Sequence, residues 1–182
     1  MPYEKIVTAL RRFRVWHRYV GLALSAFVLV SAITGILLAL KKDVAVLQPP
    51  TQKGSAEALA DWLPLHELTD RAHAAFLTEH PEYTTKSNGV DRVDVRPSKG
   101  TAKVLLEKGY WEVQIDGRTG DILSIARRHS DWIEQLHDGS IISDGFKLIS
   151  MNVLGWGLLM MLATGLWLYF GPKRVRELRR GS

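Results

Sequence analysis

The chain has 182 residues, 24 Lys/Arg against 19 Asp/Glu for a formal net charge of +5, and no cysteine. Without cysteine it can hold no disulfide, thiolate metal site, iron–sulfur cluster or covalently attached c-type haem. Hydrophobic residues make up 46% of it, and their uneven distribution decides the class.

At the N-terminus, Ile6, Leu10 and Phe13 recur at helical spacing among Lys5, Arg11, Arg12 and Arg14. This is a basic amphipathic segment that either lies on anionic headgroups or extends the helix that follows. Trp16 and Tyr19 mark an interface. Residues 20–40 then run 21 positions without a charge, Asn, Gln or Pro. About 20 apolar residues in a helix cross a ~30 Å hydrocarbon core, and a helix satisfies its own backbone there. Ser25, Ser31 and Thr34 are the only polar side chains, each able to bond back to its own turn. A secretory signal peptide would have a shorter apolar core and a small-residue cleavage site. This run ends instead in Leu40-Lys41-Lys42-Asp43, an uncleaved anchor.

Gln48-Pro49-Pro50-Thr51 and Gly54-Ser55 read as a linker. From Pro64 to His80 the pattern is helical, with Leu65, Leu68, Ala72, Ala75 and Phe76 on one face. The period then changes to two. Val90, Val93 and Val95, then Ala102, Val104 and Leu106, then Trp111, Val113 and Ile115, then Ile122 and Ile125 mark four short strands separated by turn residues. One helix followed by a meander is an α+β layer, the helix covering one sheet face. A second apolar run occupies residues 148–171, closed by Trp167, Tyr169 and Phe170 as an aromatic belt.

Basic residues orient the spans. Lys5, Arg11, Arg12, Arg14 and Arg18 precede the first, and Lys173, Arg174, Arg176, Arg179 and Arg180 follow the second. Residues 43–147 hold 12 Lys/Arg against 17 Asp/Glu, a net of −5. Both termini are expected in the cytoplasm and the central segment outside. The positive charge is membrane flank, with anionic lipid as its partner, and does not point to nucleic acid.

Tyr110-Trp-Glu-Val-Gln-Ile-Asp116-Gly-Arg-Thr119-Gly120-Asp-Ile-Leu123 resembles the closing hairpin of the PepSY domain, and the helix and strands before it follow that domain's order. Trp16-His17-Arg18-Tyr19-Val20-Gly21-Leu22 resembles the opening of PepSY-associated transmembrane proteins. Leu136-His137-Asp138-Gly139 and Gly165-Leu166-Trp167-Leu168-Tyr169 resemble their closing half. The resemblance implies a bacterial inner-membrane α+β protein, a small two-helix member of that family. Its divisions would be a basic cytoplasmic segment 1–18, a transmembrane helix 19–40, a linker 41–63 and a PepSY-like periplasmic domain 64–128. A juxtamembrane segment 129–147, a second transmembrane helix 148–171 and a basic cytoplasmic tail 172–182 would follow.

Larger relatives with four helices look like haem-carrying ferric-siderophore reductases, whereas this chain has two helices and no G-x-G-x-x-G for flavin or nicotinamide. The resemblance therefore implies an accessory subunit in iron or siderophore handling or in an associated redox complex, rather than an enzyme acting alone. Two alternatives stand beside it. One is a tethered PepSY module that binds or inhibits a periplasmic peptidase or another envelope protein. The other is a bis-His haem b electron-transfer protein formed by oligomerisation.

His137, His17 and His129 are the candidate haem ligands. His17 and His137 flank opposite ends of the spans, a bilayer thickness of ~30 Å apart, so one chain cannot place both on a single iron. His129 and His137 are eight residues apart, ~12 Å along a helix, again too far to share an ion. His66, His73 and His80, spaced by seven, read as surface residues of the soluble helix. Asp131, Glu134, Asp138 and Asp144 form an acidic collar, read as a solvated face rather than a metal site. Gly21, Ser25, Ser31 and Gly35 on the first span, and Gly155, Gly157 and Gly165 on the second, permit close helix approach. Two helices make a thin bundle, so a homo-oligomer or a larger membrane complex is expected.

Overall fold

A computed structural model describes residues 2–180, with side chains from residue 4. Residues 1 and 181–182, the outermost parts of the expected basic segments, lie outside the described residues. The chain divides into two compact units, one made of residues up to Ile36 together with those from Gln135 onward, the other of Leu37–Glu134.

The first unit is built on two long helices, α1 (Pro2–Ala39) and α4 (Asp144–Arg180). The amphipathic lead-in is continuous with the first span, so the extension reading holds at residues 2–18. Nothing in this stretch breaks a helix, since neither Gly nor Pro falls between Tyr3 and Val20. Both helices are apolar and long enough to cross a bilayer, and their outward faces are exposed Leu, Ile, Val and aromatic side chains. Together with the four-stranded sheet described below, they make this an α+β membrane protein.

The two helices run antiparallel. Leu10 meets Gly171, Phe13 meets Trp167 edge-on at 6.5 Å, and Gly21 and Gly157 sit beneath Met161 and Leu24. A Cβ at Gly21 would lie 2.8 Å from Met161 Cε, and one at Gly157 would lie 2.6 Å from Leu24 Cδ1. Gly155 differs: a Cβ there would meet nothing within 4 Å among the described residues, so it does not face α1. Ser25 likewise faces outward, its hydroxyl donating to the Leu22 carbonyl at 2.7 Å.

The second unit carries α2 (Leu65–Glu79) on an antiparallel meander of β1 (Val90–Arg96), β2 (Thr101–Leu106), β3 (Trp111–Asp116) and β4 (Ile122–Arg127). Leu68, Ala72 and Phe76 pack on Ala102, Val104, Leu106, Val113 and Ile115. Leu65, placed on that face by periodicity, is instead exposed at the helix start.

Period-two alternation implies that the opposite sheet face is wet, but Lys103, Glu112 and Gln114 are all buried there. The stretch read as a linker covers it. Pro49 and Pro50 lack an N–H, so this segment cannot continue the ladder, and polar side chains hold it instead. Gln114 Nε2 donates to the Pro50 carbonyl at 3.0 Å, and Gln114 Oε1 accepts from the Gln52 N–H at 2.7 Å. Thr101 donates to the Gln52 carbonyl at 2.9 Å, and Ser55 donates to Asp116 through both its N–H and its hydroxyl. Burial works against the Asp116 carboxylate, but the hydrogen bonds from Thr119, Arg118 and Ser55 outweigh it and hold its pKa below the ordinary value.

Beneath this segment, Glu112 accepts from Lys103 at 3.1 Å and from Arg128 at 3.1 Å, and Arg128 also holds Asp131. Removing one partner of such a cluster leaves charge buried without compensation, at a cost of about 3–5 kcal/mol. Glu112→Ala should therefore lose amide-exchange protection across β2 and β3 in the detergent-solubilised chain, measured by mass spectrometry. Glu57→Ala, at an exposed site, should leave that protection unchanged.

Candidate functional site

The helical unit holds two similar constellations, one toward each end. Each contains a Thr-Gly pair on a long helix and a histidine from another segment. Thr34 Oγ1 lies 2.8 Å from His137 Nδ1, and Thr164 Oγ1 lies 2.8 Å from His17 Nδ1. The following glycine lies beside the ring. A Cβ at Gly35 would stand 3.5 Å from His137 Cε1, and one at Gly165 would stand 3.5 Å from His17 Cε1.

The hydroxyl proton settles which way each bond runs. Thr34 Oγ1 is 2.7 Å from the Val30 carbonyl, and Thr164 Oγ1 is 2.7 Å from the Met160 carbonyl. Each hydroxyl has one proton and two acceptor positions. Its proton goes to the carbonyl four residues back, which can only accept. The same oxygen must then accept the Nδ1–H of the histidine. In the neutral ring this places the proton on Nδ1 and leaves Nε2 with its lone pair, the tautomer assigned here from the hydrogen-bond network. Nε2 in this state carries the free lone pair that metal ligation requires, on a ring oriented by the bond its other nitrogen makes.

Apolar cavities adjoin both rings. Beside His137 is one of about 240 Å³, lined by Phe27, Val30, Ser31, Phe146 and Leu154 among others. Beside His17 is one of about 130 Å³, walled by Phe13, Trp16, Val20, Met160 and Met161. His17 and Thr34 are 17 residues apart on α1, a rise of about 25 Å, and His137 sits at Thr34. The two imidazoles therefore belong to separate half-sites.

His129 is exposed in the first turn of α3 (His129–Asp138), in the other unit from His137. Of the histidines read as surface residues, only His66 is exposed. His73 is half-buried and donates through Nε2 to the Asn88 carbonyl at 2.9 Å, while His80 stacks 4.2 Å from Trp111. Among the described residues no group of three or more His, Asp or Glu is arranged to hold a metal ion. The collar acids are mostly ion-paired: Asp131 with Arg128, Glu134 with Lys41, and Asp138 with Lys147. The two threonines were not foreseen as imidazole partners. The repeated Ile33-Thr34-Gly35-Ile36 and Ala163-Thr164-Gly165-Leu166 was the available signal.

The turn after His137 is fixed by Gly139, at φ +83, where a Cβ would approach Ser150 Oγ to 2.8 Å. Burial raises the Asp138 pKa, but Lys147 and Ser140 outweigh it and bring it from 3.8 to about 2.

A family model described as PepSY-associated TM region matches residues 14–182. No curated protein and no solved structure matches the chain.

A depressed carboxyl pKa contributes stability that is complete above the ordinary value of 3.8 and is lost as pH falls through about 2. Thermal unfolding in detergent should therefore show an acid step in that window. Asp138→Asn should remove the step and lower stability at neutral pH.

Proposed function

The chain belongs to the PepSY-associated transmembrane family, and on that premise we propose that it is an accessory subunit of the bacterial inner membrane supporting iron or siderophore handling. In this reading both termini are cytoplasmic and the central domain is periplasmic. The basic flanks of α1 and α4, against an acidic segment between them, support that orientation.

The observation that carries the functional reading is the pair of threonine-held imidazoles. Each presents an unprotonated Nε2 beside an apolar cavity, the donor chemistry and surroundings that suit haem b. His137 and His17 would hold it, and bound haem would supply one-electron transfer. A single chain offers one imidazole at each half-site, so a second imidazole would have to come from another copy or from a partner subunit. This supports a homo-oligomer or a larger membrane complex rather than a self-sufficient reductase. The small-residue seam uses Gly21 and Gly157 within the chain, while Gly155 remains open on the outer face of α4 for another helix.

The test is the visible spectrum of the chain purified in mild detergent and supplied with haemin. A Soret band should form and be reduced by His137→Ala and by His17→Ala. Thr34→Val and Thr164→Val should each weaken haem affinity about 10- to 100-fold, as loss of a partner that orients a ligand does. A chain that stays colourless with haemin would overturn the haem assignment and favour a module that acts by binding another envelope protein.

A further inference from the structure

The central domain holds more carboxylates than lysines and arginines, yet one of its pockets is walled by four cations and no carboxylate. Lys42, Arg96, Lys99 and Lys103 line it together with Gln48 and Thr51, around a volume of about 350 Å³. Two of the charges have partners: Lys103 is buried with its ammonium 3.1 Å from Glu112, and Arg96 lies 3.8 Å from Asp94. Lys42 and Lys99 are exposed and form no ion pair among the described residues. Unpaired like charges converging on one concavity raise the local potential and concentrate counter-ions there.

A second feature is Gln48, which lines the same pocket. Its Oε1 is buried and has no hydrogen-bond partner among the described residues. A buried amide end left unpaired costs free energy that re-orienting the amide toward a ligand would recover. A side-chain amide presents its C=O or, after a half-turn, its NH₂, and the NH₂ end donates to an anion. The framework is also built in advance. Pro49 and Pro50 fix the chain beside Gln48, and Lys99 ends a tight turn that closes on Gly100 at φ +68. That turn is tied down by the Gly54 N–H, which donates to the Lys99 carbonyl at 2.7 Å.

We propose that this pocket binds a phosphate group, whose several oxygens match a set of ammonium, guanidinium and amide donors. Lys42 follows the end of α1 at Ala39 by three residues, within ~10 Å of the helix terminus. The phosphate is therefore either that of an anionic lipid headgroup or that of a soluble compound reaching the membrane surface. The site is built wholly from residues of the central domain, whereas both imidazoles belong to the helical unit.

Calorimetric titration of the full chain with inorganic phosphate, in a maltoside detergent at constant ionic strength, tests it. Saturable binding is expected, weakened about tenfold or more by Lys42→Ala combined with Lys99→Ala. Lys86→Ala combined with Lys108→Ala, at exposed lysines outside the pocket, should leave it unchanged. Repeating the titration in phosphatidylglycerol nanodiscs separates the sources. Lost binding means that a headgroup fills the pocket, and retained binding means that the natural ligand is soluble. No saturable binding in maltoside, or equal binding by the Lys42/Lys99 variant, would overturn the site.

Discussion

A threonine hydroxyl inside a membrane helix has one proton, and the carbonyl a turn earlier claims it. In hydrocarbon the hydroxyl has no water to donate to, and its own helix offers that carbonyl at 2.7 Å in both cases. Whatever then approaches the hydroxyl oxygen must itself be a donor. At Thr34 and Thr164 that donor is an imidazole, and the elementary rule of one proton per hydroxyl fixes its tautomer and leaves the lone pair on Nε2. Gly35 and Gly165 lie against the rings, where a Cβ would stand in ordinary van der Waals contact with Cε1. The two half-sites are near copies built from opposite ends of an antiparallel pair. The same short Thr-Gly sequence serves in both.

The central domain follows a different rule. Its helix-facing side is an ordinary apolar core, but the other side of the sheet is polar and still dry. Glu112 is the centre of that face, bound by Lys103 and Arg128 and touched by Gln114. A proline-containing segment can cover such a surface because side chains, rather than a ladder, satisfy its backbone. The covering segment also brings Gln48 and Lys42 toward the cations of β2 and of the turn before it, which is how a buried structural network comes to border an exposed basic pocket.

Much of this was legible in the sequence. The absence of charge over residues 20–40 required a spanning helix, and alternation at Val104, Val113 and their neighbours marked the strands and the face toward α2. The second face was not legible, because alternation reports one buried side and assigns the other to solvent. Lys103 and Glu112 look like surface residues until a segment fifty positions earlier is placed over them. Thr34 was read only as a back-bonding helix residue, which it is. Its second role depends on a histidine 103 residues away, a pairing that local spacing does not encode. Gly155 and Gly157 show the same limit, two positions apart on one helix, of which only Gly157 meets α1.

The central claim is that the threonines hold His17 and His137 with the proton on Nδ1 and the lone pair on Nε2. Nitrogen-15 NMR of histidine-labelled protein in detergent, without haem and at alkaline pH, tests it directly, with His17→Ala and His137→Ala identifying the signals. The account predicts a protonated Nδ1 and a bare Nε2 for both rings, a pattern lost for His137 in Thr34→Val and for His17 in Thr164→Val. Protonated Nε2 in both wild-type rings, or signals indifferent to the threonines, would contradict it.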